Sequence, residues 1–177
     1  MRTFPVFAFT VSMTLVGCLS SQPSVAEEPG KQSATYRLSS EGKDESGPHY
    51  ARARELYDLG PAKAEEIIAE LDLELRENPD SLRALGLKAN TQIGTGQYEA
   101  AMATLDRYDE IARKATTISP NGILLRARCL YHMGNYESAK RKLEPYWAFF
   151  QDDSAIKSKY DSLMSAIVAE LPAAQAK

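Results

Sequence analysis

Two stretches of the chain carry one pattern twice. Leu85, Ala89, Gly96, Gln97, Tyr98, Glu99, Ala101, Leu105 and Tyr108 align with Ile123, Ala127, Gly134, Asn135, Tyr136, Glu137, Ala139, Leu143 and Tyr146, each pair 38 positions apart. Self-similarity at a fixed period marks a stacked architecture, in which one unit buries its apolar face only against its neighbours. Each unit reads as two antiparallel helices: the first ends at the glycine, which permits a left-handed C-terminal cap, and the second opens near the tyrosine. Ala89 and Ala127 keep the first helix close to its partner, Ala101 and Ala139 do the same from the second, and Tyr98 and Tyr136 fill the space at the turn.

Boundaries follow from local chemistry. Asn78-Pro79 and Ser119-Pro120 each pair a side-chain acceptor for an orphan N–H with a proline suited to the first helical position. A degenerate copy lies upstream: Ala53, Gly60, Ala64, Ile68 and Leu71 fit if one residue is deleted at the turn, where Pro61 opens the second helix. The predicted helices are 48–59, 61–77, 79–94, 97–115, 120–133 and 135–150. A seventh, from Asp152-Asp153 to about Glu170, presents Ile156, Tyr160, Leu163, Met164, Ile167 and Val168 and reads as the cover of the last unit. The expected organisation is a helical domain over 48–170 and a disordered tail over 171–177.

The repeated pattern resembles the tetratricopeptide repeat: a small residue in mid-first-helix, a Gly-x-Tyr turn and an alanine three residues later. Leu85 and Ile123 replace the usual early aromatic, and the spacing exceeds the usual one of about 34, so the second helix or the loop after it should be about a turn longer. The resemblance implies an all-α solenoid of antiparallel helix pairs that acts by binding other proteins.

The N-terminus breaks from this pattern. Arg2 precedes an uncharged apolar run from Phe4 to Val16, too short to span a bilayer and ending at the small residue Gly17, the layout of a secretory signal over 1–17. Leu15-Val16-Gly17-Cys18 resembles the lipobox of bacterial lipoproteins. That resemblance implies cleavage before Cys18, a diacylglyceryl thioether on its sulfur and acylation of the new amino group, an anchor made firm by about 0.8 kcal/mol per buried CH2. Leu19 stands where an aspartate favours inner-membrane retention in Gram-negative lipoproteins, which implies the periplasmic face of the outer membrane. Residues 18–47, rich in Ser, Glu, Lys, Gly and Pro, read as a flexible tether with an r.m.s. span of roughly 30 Å.

The rest of the composition excludes more than it selects. A formal charge of −3 and a pI near 5.5 leave no basic field for nucleic acid. With Cys18 alkylated, Cys129 has no disulfide partner and is expected to pack as a small hydrophobe. Two histidines, no Cys/His cluster at metal spacing, no phosphate loop and no nucleophile elbow give no expectation of a catalytic residue, metal, cofactor or small-molecule substrate.

The expected site is therefore a groove. First helices of stacked pairs line a concave side where an extended peptide or a helix can lie. One residue after each small alanine faces it, giving Arg54, Asn90 and Arg128. Neighbouring candidates are Tyr50, Tyr57 and Arg83, with Asn121, Leu124, Tyr131 and His132 further along. By the resemblance, Asn90 pairs with peptide amides and Arg128 with an anion. A second surface is the run Pro145-Tyr146-Trp147-Ala148-Phe149-Phe150: Pro145 should bend its helix, and the aromatics either pack under the final helix near Tyr160 and Met164 or stand exposed as an interface. The expected function is a membrane-anchored adaptor for envelope proteins; the alternative is a structural subunit of an envelope assembly machine, pilotin-like or a secretion or pilus assembly factor.

Overall fold

The computed structural model describes residues 47–115, 118–151 and 153–175. Its helices are α1 (Pro48–Asp58), α2 (Ala64–Glu77), α3 (Leu82–Gly94), α4 (Tyr98–Lys114), α5 (Pro120–His132), α6 (Tyr136–Leu143) and α7 (Ser154–Gln175), with 3-10 turns at Pro61–Lys63 and Glu144–Phe150. Cys18, the predicted signal peptide and the tether up to residue 46 lie outside the described residues.

The fold is an all-α repeat of antiparallel helix pairs, α1–α2, α3–α4 and α5–α6, each pair stacked on the next, with α7 covering the end. First helices touch across the units, α3 against α5 and α5 against α7, while the second helices make no comparable contact. The helical unit therefore curves with its first helices on the inner side. Positions of closest approach are small: Ala53, Ala89, Ala101, Ala127 and Ala139 are fully buried. Around them α4 turns Ala101, Leu105, Tyr108 and Ala112 inward at helical spacing. Each buried leucine of this kind contributes roughly 1.5–3 kcal/mol.

The predicted turns recur almost identically. Gly96 and Gly134 both have φ +77°, the left-handed region that a side chain on Cβ disfavours. Gln97 N–H donates to Gln92 O (2.8 Å) and Gly96 N–H to Ile93 O (3.2 Å); Asn135 N–H to Leu130 O (2.9 Å) and Gly134 N–H to Tyr131 O (2.9 Å) repeat the arrangement. These two bonds satisfy the last carbonyls of α3 and α5 as a glycine-terminated helix requires. Within the 38-residue period α4 runs for 17 residues and α5 for 13.

Five boundaries differ from expectation, the first being that the helix predicted over 61–77 opens as a 3-10 turn and is α-helical only from Ala64. α3 starts at Leu82, and its cap is Ser81, whose Oγ accepts from Ala84 N–H (3.2 Å). Asn78 instead closes α2 through its N–H to Glu74 O (2.7 Å), and the Pro79 carbonyl is held by Arg107 Nη2 (2.5 Å). Ser119 caps α5 as expected, accepting from Gly122 N–H. The helix predicted over 135–150 is α-helical only to Leu143 and tightens into the 3-10 turn that contains Pro145, because proline cannot donate to the α-helical ladder. The final helix runs to Gln175, so residues 171–175, predicted in a disordered tail, are helical. Gly47, predicted in the tether, is tied to the domain: its N–H donates to Glu74 Oε1 (3.0 Å), and Tyr50 N–H donates to Glu74 Oε2 (3.1 Å). Glu74 on α2, 1% exposed, thus caps α1, a role no residue of α1 itself supplies.

The aromatic run divides. Phe150 is fully buried and stacks on Tyr160 with centroids 4.8 Å apart, Tyr146 packs against the same α5–α6–α7 core, and Trp147 is 57% exposed. Cys129 is fully buried, its thiol directed at Tyr98 O (3.4 Å); burial pushes that thiol above its ordinary range, which keeps it protonated.

Candidate functional site

The inner side of the array carries a hydrogen-bonded row that crosses all three helix pairs. Ala53, Ala89 and Ala127 turn toward the second helices, which rotates the residues beside them toward the concavity. Asn90 Nδ2 donates to Tyr57 Oη on α1 (2.5 Å), and Arg128 Nη2 on α5 donates to Asn90 Oδ1. Arg54 adjoins the row on α1: its guanidinium carbon lies 5.7 Å from the Tyr57 ring centroid, with Asp58 at 3.8 Å from its Nη2. Tyr57, Asn90 and Arg128 come from sequence positions 33 and 38 apart and form one unit.

This changes the expected role of Asn90. Its carboxamide bridges two side chains of the domain, so it holds Tyr57 and Arg128 in place before it offers anything to a peptide. Arg128 remains the group with unmet capacity. It is half-buried, its Nε is buried with no hydrogen-bond partner, and among the described residues no carboxylate forms an ion pair with it. Burial lowers its pKa from the ordinary arginine value, although arginine at physiological pH stays charged. A guanidinium held by a neutral amide beside solvent is a standing attraction for a carboxylate, which would complete charge-assisted hydrogen bonds.

Beyond Arg128 the row becomes aromatic. His132, one turn further along α5, is exposed and stacks on Tyr98 of α4 (centroids 5.7 Å apart, planes 4° apart). Tyr131 meets His132 edge-on at 5.3 Å and Tyr136 of α6 at 5.5 Å. Partial burial, then the positive charge of Arg128, lowers the His132 pKa, which keeps the ring neutral near pH 7.

The remaining predicted groove residues are placed as follows. Arg83 and Asn121 are equivalent positions, exposed in the first turns of α3 and α5 and seven residues before Asn90 and Arg128, about 10 Å along each helix. Tyr50, like Tyr57, packs half-buried against the core of α1, α2 and α3, and Leu124 is buried in the core of α5, α6 and α7. Tyr98 joins the site although the sequence placed it only at the turn: it reaches His132 in the next helix pair, whereas its repeat-equivalent, Tyr136, contacts Tyr131 within its own pair. A separate cleft of about 430 Å3 opens among α2, α3 and α4, on the side of the second helices. Its Lys88 and Asp72 pair with each other (2.5 Å), and Arg107 is engaged by Pro79 O.

Residues 61–117, from the first 3-10 turn through α4, match the tetratricopeptide repeat family. No curated protein and no solved structure matches the chain. Over those residues the chain is similar to the tetratricopeptide repeat, and the helix pairs on either side continue the same antiparallel architecture, of the kind that serves protein–protein interaction.

Proposed function

We propose that this chain is a lipid-anchored adaptor of the bacterial cell envelope whose helical domain recruits a protein partner through its concave groove. The observation that carries the binding role is Arg128, half-buried, held by the neutral Asn90 amide and without an acidic partner among the described residues. An acidic side chain or terminal carboxylate of the partner is the complementary group, with Tyr57, Tyr131 and His132 offering ring faces and edges on either side. Envelope placement rests on Leu15-Val16-Gly17-Cys18, which resembles a lipobox, and on the uncharged run before it.

Affinity purification of the lipidated protein from its own membrane tests both parts. Arg128→Gln, with unchanged helicity, should lower partner recovery severalfold; equal recovery would leave the groove idle. Cys18→Ser should release the protein from membranes, and mass spectrometry finding Cys18 unmodified would end the anchoring proposal. A structural-subunit role is favoured by Trp147, whose exposed indole offers a second, larger contact. A stable stoichiometric complex that survives Arg128→Gln and is lost with Trp147→Ala would select that role.

A further inference from the structure

His132 lies beside Arg128 in a setting that gives its titration a consequence. It follows Arg128 by one helical turn on α5, where residues four apart are neighbours. Its ring is fixed by the parallel stack on Tyr98 from α4 and the edge contact with Tyr131 on α5, which is itself held by Tyr136 from α6. Among these groups the charge acting on His132 is that of Arg128. The imidazole therefore sits in a positive field in the free protein, and an anion placed on Arg128 cancels that field.

We propose, resting on the groove reading above, that His132 is a proton-linked component of the Arg128 site: it takes up a proton when an anionic group of a partner settles on Arg128, so the groove holds acidic peptides more tightly as pH falls. The coupling is reciprocal, because whatever binding does to proton affinity, protonation does to binding. The charged ring also gains against Tyr98, whose face attracts cations. Above the His132 pKa of the bound form the imidazole stays neutral in both states and affinity is flat. Affinity rises as pH falls from there to the pKa of the free form and levels off below it, by about tenfold for each unit separating the two values. The partner's carboxylate remains ionised over this range, since its own pKa lies near 4.

The test uses NMR titration of the two histidines, His132 being assigned through His132→Gln, with one alanine-rich hexapeptide as its free acid and as its C-terminal amide. Arg128→Gln alone, without peptide, should raise the His132 pKa; an unmoved value overturns the coupling whether or not anything binds. The free acid should raise the His132 pKa in the wild type, and its affinity should increase severalfold from pH 7.5 to 5, an increase that His132→Gln abolishes. Binding of the acid at Arg128 with an unchanged His132 pKa, or with the same pH dependence in His132→Gln, overturns this inference and leaves the groove reading standing. No binding by the acid, or equal binding by acid and amide, overturns the groove reading and this inference with it.

Discussion

Asn90 and Arg128 occupy the same position in consecutive helix pairs, 38 residues apart, and are hydrogen-bonded to each other, the guanidinium donating to the carboxamide oxygen. A repeat brings its own equivalent positions side by side along the inner surface, so one amide can fix one cation while leaving that cation without a counter-charge. Replacing Asn90 by aspartate supplies the missing charge from within. Asn90→Asp should bind acidic peptides at least about tenfold more weakly, because Arg128 is then paired, while Asn90→Ala should lose about 1–2 kcal/mol of stability by orphaning Tyr57 and Arg128. Peptide titration and urea denaturation check the two.

The Glu74 carboxylate caps α1 from α2 by accepting from Gly47 and Tyr50, each oxygen serving one N–H. Glu74→Gln leaves a single acceptor oxygen and should destabilise by about 1–2 kcal/mol; Glu74→Leu leaves both donors uncapped and should cost about 2–4 kcal/mol. Hydrogen exchange should rise first in α1. Uniform exchange changes from α1 through α7 would contradict a local capping role.

Gly122 lies against Tyr108, the residue that joins the second helix pair to the third. A Cβ on Gly122 would stand 2.6 Å from Tyr108 Cε1, and the ring cannot yield, because it is buried and its hydroxyl bonds Ser119. Gly122→Ala should therefore destabilise by about 1–3 kcal/mol despite its better helix propensity. Thermal melts decide the sign.

His49 pairs with Glu70 (2.8 Å) and lies 3.8 Å from Glu77. The Glu70 hydrogen bond chiefly, with the fields of Glu77, Glu70 and Glu74, raises its pKa above the ordinary value of 6.5. A folded-state pKa above the unfolded one means stability fully present below 6.5 and lost as pH rises through the folded value. The pH dependence of unfolding should show that decline in the wild type and lack it in His49→Gln.

Trp147 and Phe150 make opposite predictions from one short turn. Trp147→Ser should change stability by no more than about 0.5 kcal/mol, and the indole, 57% exposed, should be open to aqueous quenchers. Phe150→Ala should cost about 3–5 kcal/mol, since it empties a fully buried aromatic site against Tyr160. A quencher-resistant Trp147 in the isolated protein would contradict the structure.

What the amino-acid order determined by itself is local. The glycine turns at 96 and 134, the Ser119 cap, the small alanines and the inward stripe of α4 all follow from interactions within five or so residues, whose chemistry is written in the neighbouring letters. The groove row was legible as positions, since a period of 38 places Asn90 and Arg128 in register. Its bonding was not. Only the tertiary structure decided that Asn90 spends its carboxamide on Tyr57 and Arg128, that Glu74 caps a helix 24 residues earlier, and that Leu124 belongs to the core. The aromatic run after Pro145 offered no polar face from which to read a phase, so the packing of α5, α6 and α7 chose Phe150 for burial and Trp147 for solvent. Hydrogen bonds between side chains tens of residues apart depend on where stacked helices come to rest, and that is fixed by the summed packing of the array and not by any segment of it.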